Sequence, residues 1–108
     1  GGAIAAGVET SAAYLIEKAA LLSKTDLEFP EHAIGIDTKQ NIQSGIMYGA
    51  VDQLEGMINR IKKESNEEYN IIITGGLAKT ISPYLSIKHT LDSDLTLKGM
   101  ILIDESNY

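Results

Sequence analysis

Residues 69–78 hold the arrangement best suited to chemistry in this 108-residue sequence. Tyr69, Ile71, Ile72 and Ile73 read as a short buried strand rich in β-branched side chains. Thr74-Gly75-Gly76 interrupts it, and Leu77, Ala78, Ile81 and Leu85 resume helical spacing. A strand, paired glycines and a helix let a ligand touch bare main chain at the strand's carboxyl end, because any Cβ would hold it off. The helix start beyond offers free N–H groups to an anionic or polar ligand. The same residues also fit a strand-to-helix turn with no ligand, and taken alone the three favour that plainer reading.

Other reactive patterns are weak. His32 and His89 lie far apart, neither in a metal-binding pattern such as HExxH, and both read as surface residues. No serine sits in a nucleophile elbow and no Walker A sequence occurs. Asp92 and Asp94 could share a cation, but no further ligand follows at calcium-loop spacing, so a capped loop is the better reading. The sequence has no cysteine, which excludes disulfides, thiolate metal sites and cysteine nucleophiles together.

The elements that must position Thr74-Gly75-Gly76 are mostly helical. Gly1 to Gly7, small and apolar, suits the end of a buried strand running into a tight turn. Thr10 is a candidate N-cap for a helix from about Ser11 to Leu22, with Lys18 and Lys24 toward its C-terminal end. Residues 23–37 read as irregular, since Pro30 disfavours helix at Phe29 and Gly35 suggests a turn.

The best helix runs from about Thr38 to Glu64, with Asp37 and Gln40 at capping-box spacing. Ile42, Ile46, Ala50, Leu54, Met57, Ile58 and Ile61 form one apolar stripe along it. Gly45, Gly49 and Gly56 share a face of it. Each costs roughly 1 kcal/mol against alanine in a helix interior, so close approach of another backbone is expected there, either a subunit interface or an intrachain contact. The tail from Leu95 to Ile103, led by Asp94, reads as a buried helix, with a strand over Met100–Ile103 as the alternative.

Composition narrows the class. At 44% hydrophobic and 22% charged, the chain is expected to be one soluble globular domain. Its longest apolar runs fall far short of the ~20 residues that span a bilayer, and no charged n-region leads an apolar stretch. No membrane partner and a cytoplasmic location are therefore expected. A net charge of −6 argues against a nucleic-acid surface. Arg60, Lys62 and Lys63 are followed at once by Glu64, Glu67 and Glu68, as on a solvated helix end. The glycine-rich apolar opening without an initiator Met reads as a cut chain.

Four segments together resemble the type III pantothenate kinases, a family that includes the Bvg accessory factors. Gly1-Gly2-Ala3-Ile4-Ala5-Ala6-Gly7 is similar to the family's GGAIAPG segment. Ile34-Gly35-Ile36-Asp37-Thr38, with Gln43-Ser44-Gly45 and Tyr48-Gly49, is similar to its IGxNT…QSGxxYG segment. Thr74-Gly75-Gly76-Leu77-Ala78 resembles its adenosine motif, and Leu95-Thr96-Leu97-Lys98-Gly99 its LTLKG ending. Ala6 stands for the usual proline, Ile36 for a common basic residue and Asp37 for asparagine.

The resemblance implies an α/β fold: a helix-rich, C-terminal RNase H-like domain of the acetate/sugar kinase–Hsp70–actin superfamily. Residues 1–108 would form one nucleotide-binding half, without the N-terminal catalytic half. The implied reaction moves the γ-phosphoryl group of ATP to pantothenate, the first step toward coenzyme A. Thr74, Gly75 and Gly76 would line the adenosine pocket. Thr38 would help bind pantothenate from across a homodimer, its plainer reading being a first-turn helix residue. The catalytic aspartate, both phosphate loops and the site for potassium or ammonium would lie outside this sequence, as would the ligands of Mg. A transcriptional regulator without kinase activity, acting indirectly, and a dimerisation module with no ligand are the competing readings.

Overall fold

The structure is a computed structural model describing residues 1–19 and 26–92. Its elements in chain order are α1 (Val8–Ala19), α2 (Thr38–Ser65), β1 (Ile72–Ile73), α3 (Ala78–Ile81), a 3-10 turn (Ser82–Tyr84) and β2 (Thr90–Leu91). β1 and β2 pair in parallel, Ile72 opposite Thr90 and Ile73 opposite Leu91. The described residues are thus helix-rich with one two-stranded sheet, and the larger sheet of an RNase H-like domain is not seen among them. The expected helix or strand over 95–103 lies outside the described residues, as do Lys24, Asp94 and the LTLKG segment. No described helix is long and apolar enough to cross a membrane.

α2 starts where its capping signal places it. The Asp37 carboxylate accepts from Gln40 N at 2.8 Å, filling one of the orphan donors of the first turn. The Gln40 side chain reaches back to accept from Ile36 N at 3.1 Å, one residue earlier than in a standard capping box. At the far end Asn66 adopts a left-handed conformation (φ 53°) and its N–H returns to Lys62 O, closing the helix.

α1 begins earlier than the sequence suggests. Ser11 N bonds to Gly7 O, so Gly7 rather than Thr10 is the cap. Residues 1–7 are exposed and form no strand. A strand end needs a ladder partner, and the described ladder involves only β1 and β2.

The core joins α1 to α2. Ala12, Ile46 and Met47 are buried together, with Val8, Leu15, Leu27, Phe29 and Ile42 packed against them. The most enclosed face of α2 is therefore Gln43, Ser44, Met47 and Val51, not the stripe picked out by hydropathy. Of that stripe only Ile46 is buried, and Met57 and Ile61 are exposed. A Cβ on Gly45, Gly49 or Gly56 would meet nothing within 4 Å. Close packing by another described part of this chain is therefore not the reason for those glycines.

After β1 the expected helix is cut short. α3 lasts four residues and Pro83 sits in the 3-10 turn that replaces its next turn. Proline lacks the N–H and fixes φ, so the run toward Leu85 cannot continue as one helix. A helix this short has little dipole to offer an anion, which removes one of the two attractions read from the sequence.

Candidate functional site

An open groove of about 1400 Å³ runs beside α2. One wall is the 3–11 segment, the floor is the α2 stripe from Ile42 to Met57, and the other wall is β1 with the turn after it. Thr38, at the first turn of α2, and Thr74 and Gly76, at the carboxyl end of β1, line this one groove. The sequence singled out these residues from segments far apart in the chain, and folding brings them to the same surface.

The turn that carries Thr74, Gly75 and Gly76 is exposed throughout. Gly75 has φ +111°, a conformation that side chains other than glycine rarely adopt, and its carbonyl accepts from Ala78 N to start α3. Gly76 has a different role. Its φ is ordinary, and a Cβ there would meet nothing within 4 Å. Its bareness serves no packing need among the described residues, and it faces the groove.

The Thr38 side is held by a set of bonds that the sequence did not disclose. Three side chains of α2 donate to carbonyls of the 26–36 loop. Gln43 Nε2 reaches Asp26 O at 2.9 Å, Ser44 Oγ reaches Ala33 O, and Tyr48 OH reaches Pro30 O at 2.6 Å. Lys39 Nζ adds an ion pair to Asp26 Oδ1 at 3.3 Å. Gln43 and Ser44 are buried at 7% and 8% exposure, so an unmade bond there would leave a polar group dry. The loop therefore lies fastened along two turns of helix and delivers Ile36 and Asp37 to the start of α2. The only available signal was the i, i+4 placement of Ser44 and Tyr48, two donors on one helix face.

The 82–92 segment has its own ties. Ser86 N and Ser86 Oγ donate to Glu55 Oε1 at 2.5 and 2.9 Å, anchoring this segment to α2. The bond from Ser86 N, then that from Ser86 Oγ, and a smaller one from Ile87 N hold the Glu55 carboxyl below its ordinary value, against a slight opposing effect of burial. A depressed carboxyl contributes stability that is complete above its unfolded value, about 4.3. That contribution is lost as pH falls through the lower folded value. Acid titration should therefore release the 85–88 segment below about pH 4.3. Glu55→Gln should lack this acid-dependent step when the Ser86 amide shift is followed by NMR.

His89 is half-buried rather than the surface residue expected, while His32 is exposed. Its Nδ1 lies 2.7 Å from Ile87 O, which can only accept, so in the neutral ring Nδ1 carries the proton. Nε2 then accepts from Ser82 Oγ at 2.5 Å. The pair ties the 3-10 turn to the start of β2.

Among the described residues no group of three or more His, Cys, Asp or Glu converges on a metal position. Asp92 is half-buried at the end of β2, and its N–H donates to Ile73 O at 2.9 Å as part of the ladder.

A family model described as type III pantothenate kinase matches residues 1–60. The matched span takes in the opening segment, Ile34 to Thr38, and the Gln43-Ser44-Gly45 and Tyr48-Gly49 positions, but stops before Thr74. It covers more than half of the sequence. The chain belongs to the type III pantothenate kinase family.

Proposed function

We propose that this chain is the C-terminal half of a kinase that transfers the γ-phosphoryl group of ATP to pantothenate, the first step toward coenzyme A. Membership in the family supports a kinase with the actin-like fold. The finer reading makes this chain one RNase H-like half that supplies binding walls, with a partner half supplying the catalytic aspartate, the phosphate loops and the cation sites. The family's DxGN and GADR signatures do not occur in these 108 residues. Phosphoryl transfer depends chiefly on positioning and electrostatics, so the walls alone give no turnover.

The observation that carries this reading is the shared groove: Thr38, Thr74 and Gly76 line it together. Thr74, Gly75 and Gly76 form the surface on which the adenosine rests. Gly76 leaves main chain bare where a packed turn would not require it. Thr38 offers a hydroxyl to pantothenate in the site of a second copy. The open Gly45–Gly49–Gly56 face is the seat of that copy in a cytoplasmic homodimer.

Gly76 provides the test, because its space is empty and its φ unstrained. Gly76→Leu should change the chain's melting temperature little and weaken binding of a non-hydrolysable ATP analogue about ten-fold or more, as the new side chain occupies the wall. Calorimetric titration of the complete kinase polypeptide, with and without the substitution, decides it. Unchanged affinity in Gly76→Leu, or no nucleotide binding by the unaltered protein, sinks the assignment.

A further inference from the structure

Three aromatic rings lie where the loop before Thr38 meets the segment after Gly76. Phe29 and Tyr84 stack with centroids 3.6 Å apart and planes 12° apart. Tyr48 of α2 lies edge-to-face with both, at 5.2 Å from Phe29 and 6.2 Å from Tyr84. The two edge-to-face contacts lie in the favoured range of centroid distances, while the Phe29–Tyr84 pair is packed close to face to face.

The rings are tied to the Thr74–Gly76 turn and to Thr38 by unbroken local structure. From Tyr84 a run of hydrogen bonds leads back toward the turn: Leu85 N to Ser82 O, Ser82 N to Ala78 O, Ile81 N to Leu77 O and Ala78 N to Gly75 O. From Phe29 the loop passes Pro30, whose carbonyl Tyr48 holds, and Ala33, whose carbonyl Ser44 holds, before reaching Asp37 and Thr38. Tyr84 is 48% exposed, so the core does not depend on it.

We propose that Tyr84 and Tyr48 are positioning residues acting on two separate parts of the groove's lining, the turn after β1 and Thr38. Tyr84, stacked on Phe29, fixes the Thr74–Gly76 turn, and the Tyr48 hydroxyl fixes the loop that presents Thr38. This rests on the kinase reading for what the walls bind, but not for the joint itself. The two residues meet at one cluster, and their losses separate by substrate.

The test has two readouts on Tyr84→Leu, Tyr84→Phe and Tyr48→Phe. The first is amide hydrogen exchange of this chain. Tyr84→Leu should speed exchange over residues 75–85 alone, Tyr48→Phe over residues 26–37 alone, and Tyr84→Phe should match the unaltered protein. The second is steady-state kinetics in the complete kinase polypeptide. Tyr84→Leu should raise KM for ATP about three- to ten-fold with KM for pantothenate held. Tyr48→Phe should do the reverse, and Tyr84→Phe should restore ordinary values.

Exchange that rises evenly through the chain, or Tyr84→Phe as impaired as Tyr84→Leu, overturns the joint. So does a parallel shift of both Michaelis constants. An unaltered kinase polypeptide that binds neither substrate defeats the kinase reading instead, and the exchange pattern then decides the joint by itself.

Discussion

Gly35→Ala should destabilise the chain by about 2–3 kcal/mol, the upper part of the range for forcing a methyl into filled space. The cause is contact rather than conformation, since Gly35 has no positive φ. A Cβ there would lie 2.6 Å from Asn41 N and 2.8 Å from Gln40 C, with Asn41 Oδ1 also in the way. Those backbone atoms cannot give. Asn41 N is already bonded to Asp37 O at 2.9 Å in the first turn of α2, and Gln40 holds both ends of the cap. The substituted loop must lift off the helix, straining the bonds to Ala33 and Pro30. For a chain of this size the melting temperature should fall by roughly 10 °C or more. Gly49→Ala, which meets nothing, is the control and should show no comparable loss.

Asp37→Asn should strengthen pantothenate binding about three- to ten-fold at low salt, with a gain that shrinks as ionic strength rises. The expectation follows from the kinase reading of Thr38, whose neighbour Asp37 places a negative charge beside a carboxylate substrate. Asparagine caps a helix about as well as aspartate, and its side-chain oxygen can accept from Gln40 N as Asp37 does now. Stability should therefore change little. Asp37→Ala removes the same charge but also the cap, costing about 1 kcal/mol. Binding titrations at two salt concentrations, with melting curves alongside, separate the charge from the cap. Equal affinity in the unaltered protein and in Asp37→Asn would place the substrate carboxylate elsewhere.

Legibility of the sequence followed the range of the interactions. α2 was readable almost to the residue because its signals are local: the Asp37–Gln40 cap, a 3.6-residue period and a polar end. α1 was misplaced by three residues because a glycine carbonyl, which carries no side-chain signature, serves as the cap. The run after Thr74-Gly75-Gly76 looked like a longer helix because Leu77, Ala78, Ile81 and Leu85 keep the period, although Pro83 breaks it.

The buried face of α2 was missed for a different reason. Gln43 and Ser44 score as solvent-facing, and only their bonds to carbonyls 17 and 11 residues away make burial favourable. The candidate site divided in the same way. Thr38 and Thr74–Gly76 were legible as motifs, while the groove that unites them depends on how α2 lies against the 3–11 segment and β1. The Phe29–Tyr84 stack spans 55 positions of chain and has no local trace.

The fastening of the 26–36 loop sets unequal limits on how this sequence can drift over generations. In the bonds from Gln43, Ser44 and Tyr48 each donor is a particular side chain on α2, whereas each acceptor is a peptide carbonyl that any amino acid supplies. Ala33, exposed and contributing only its carbonyl, is free to be replaced by most residues. Ser44 opposite it is not, because few side chains combine a hydroxyl with so small a volume. Two neighbouring surfaces thus answer to different rules of substitution: one mutable, the other nearly fixed.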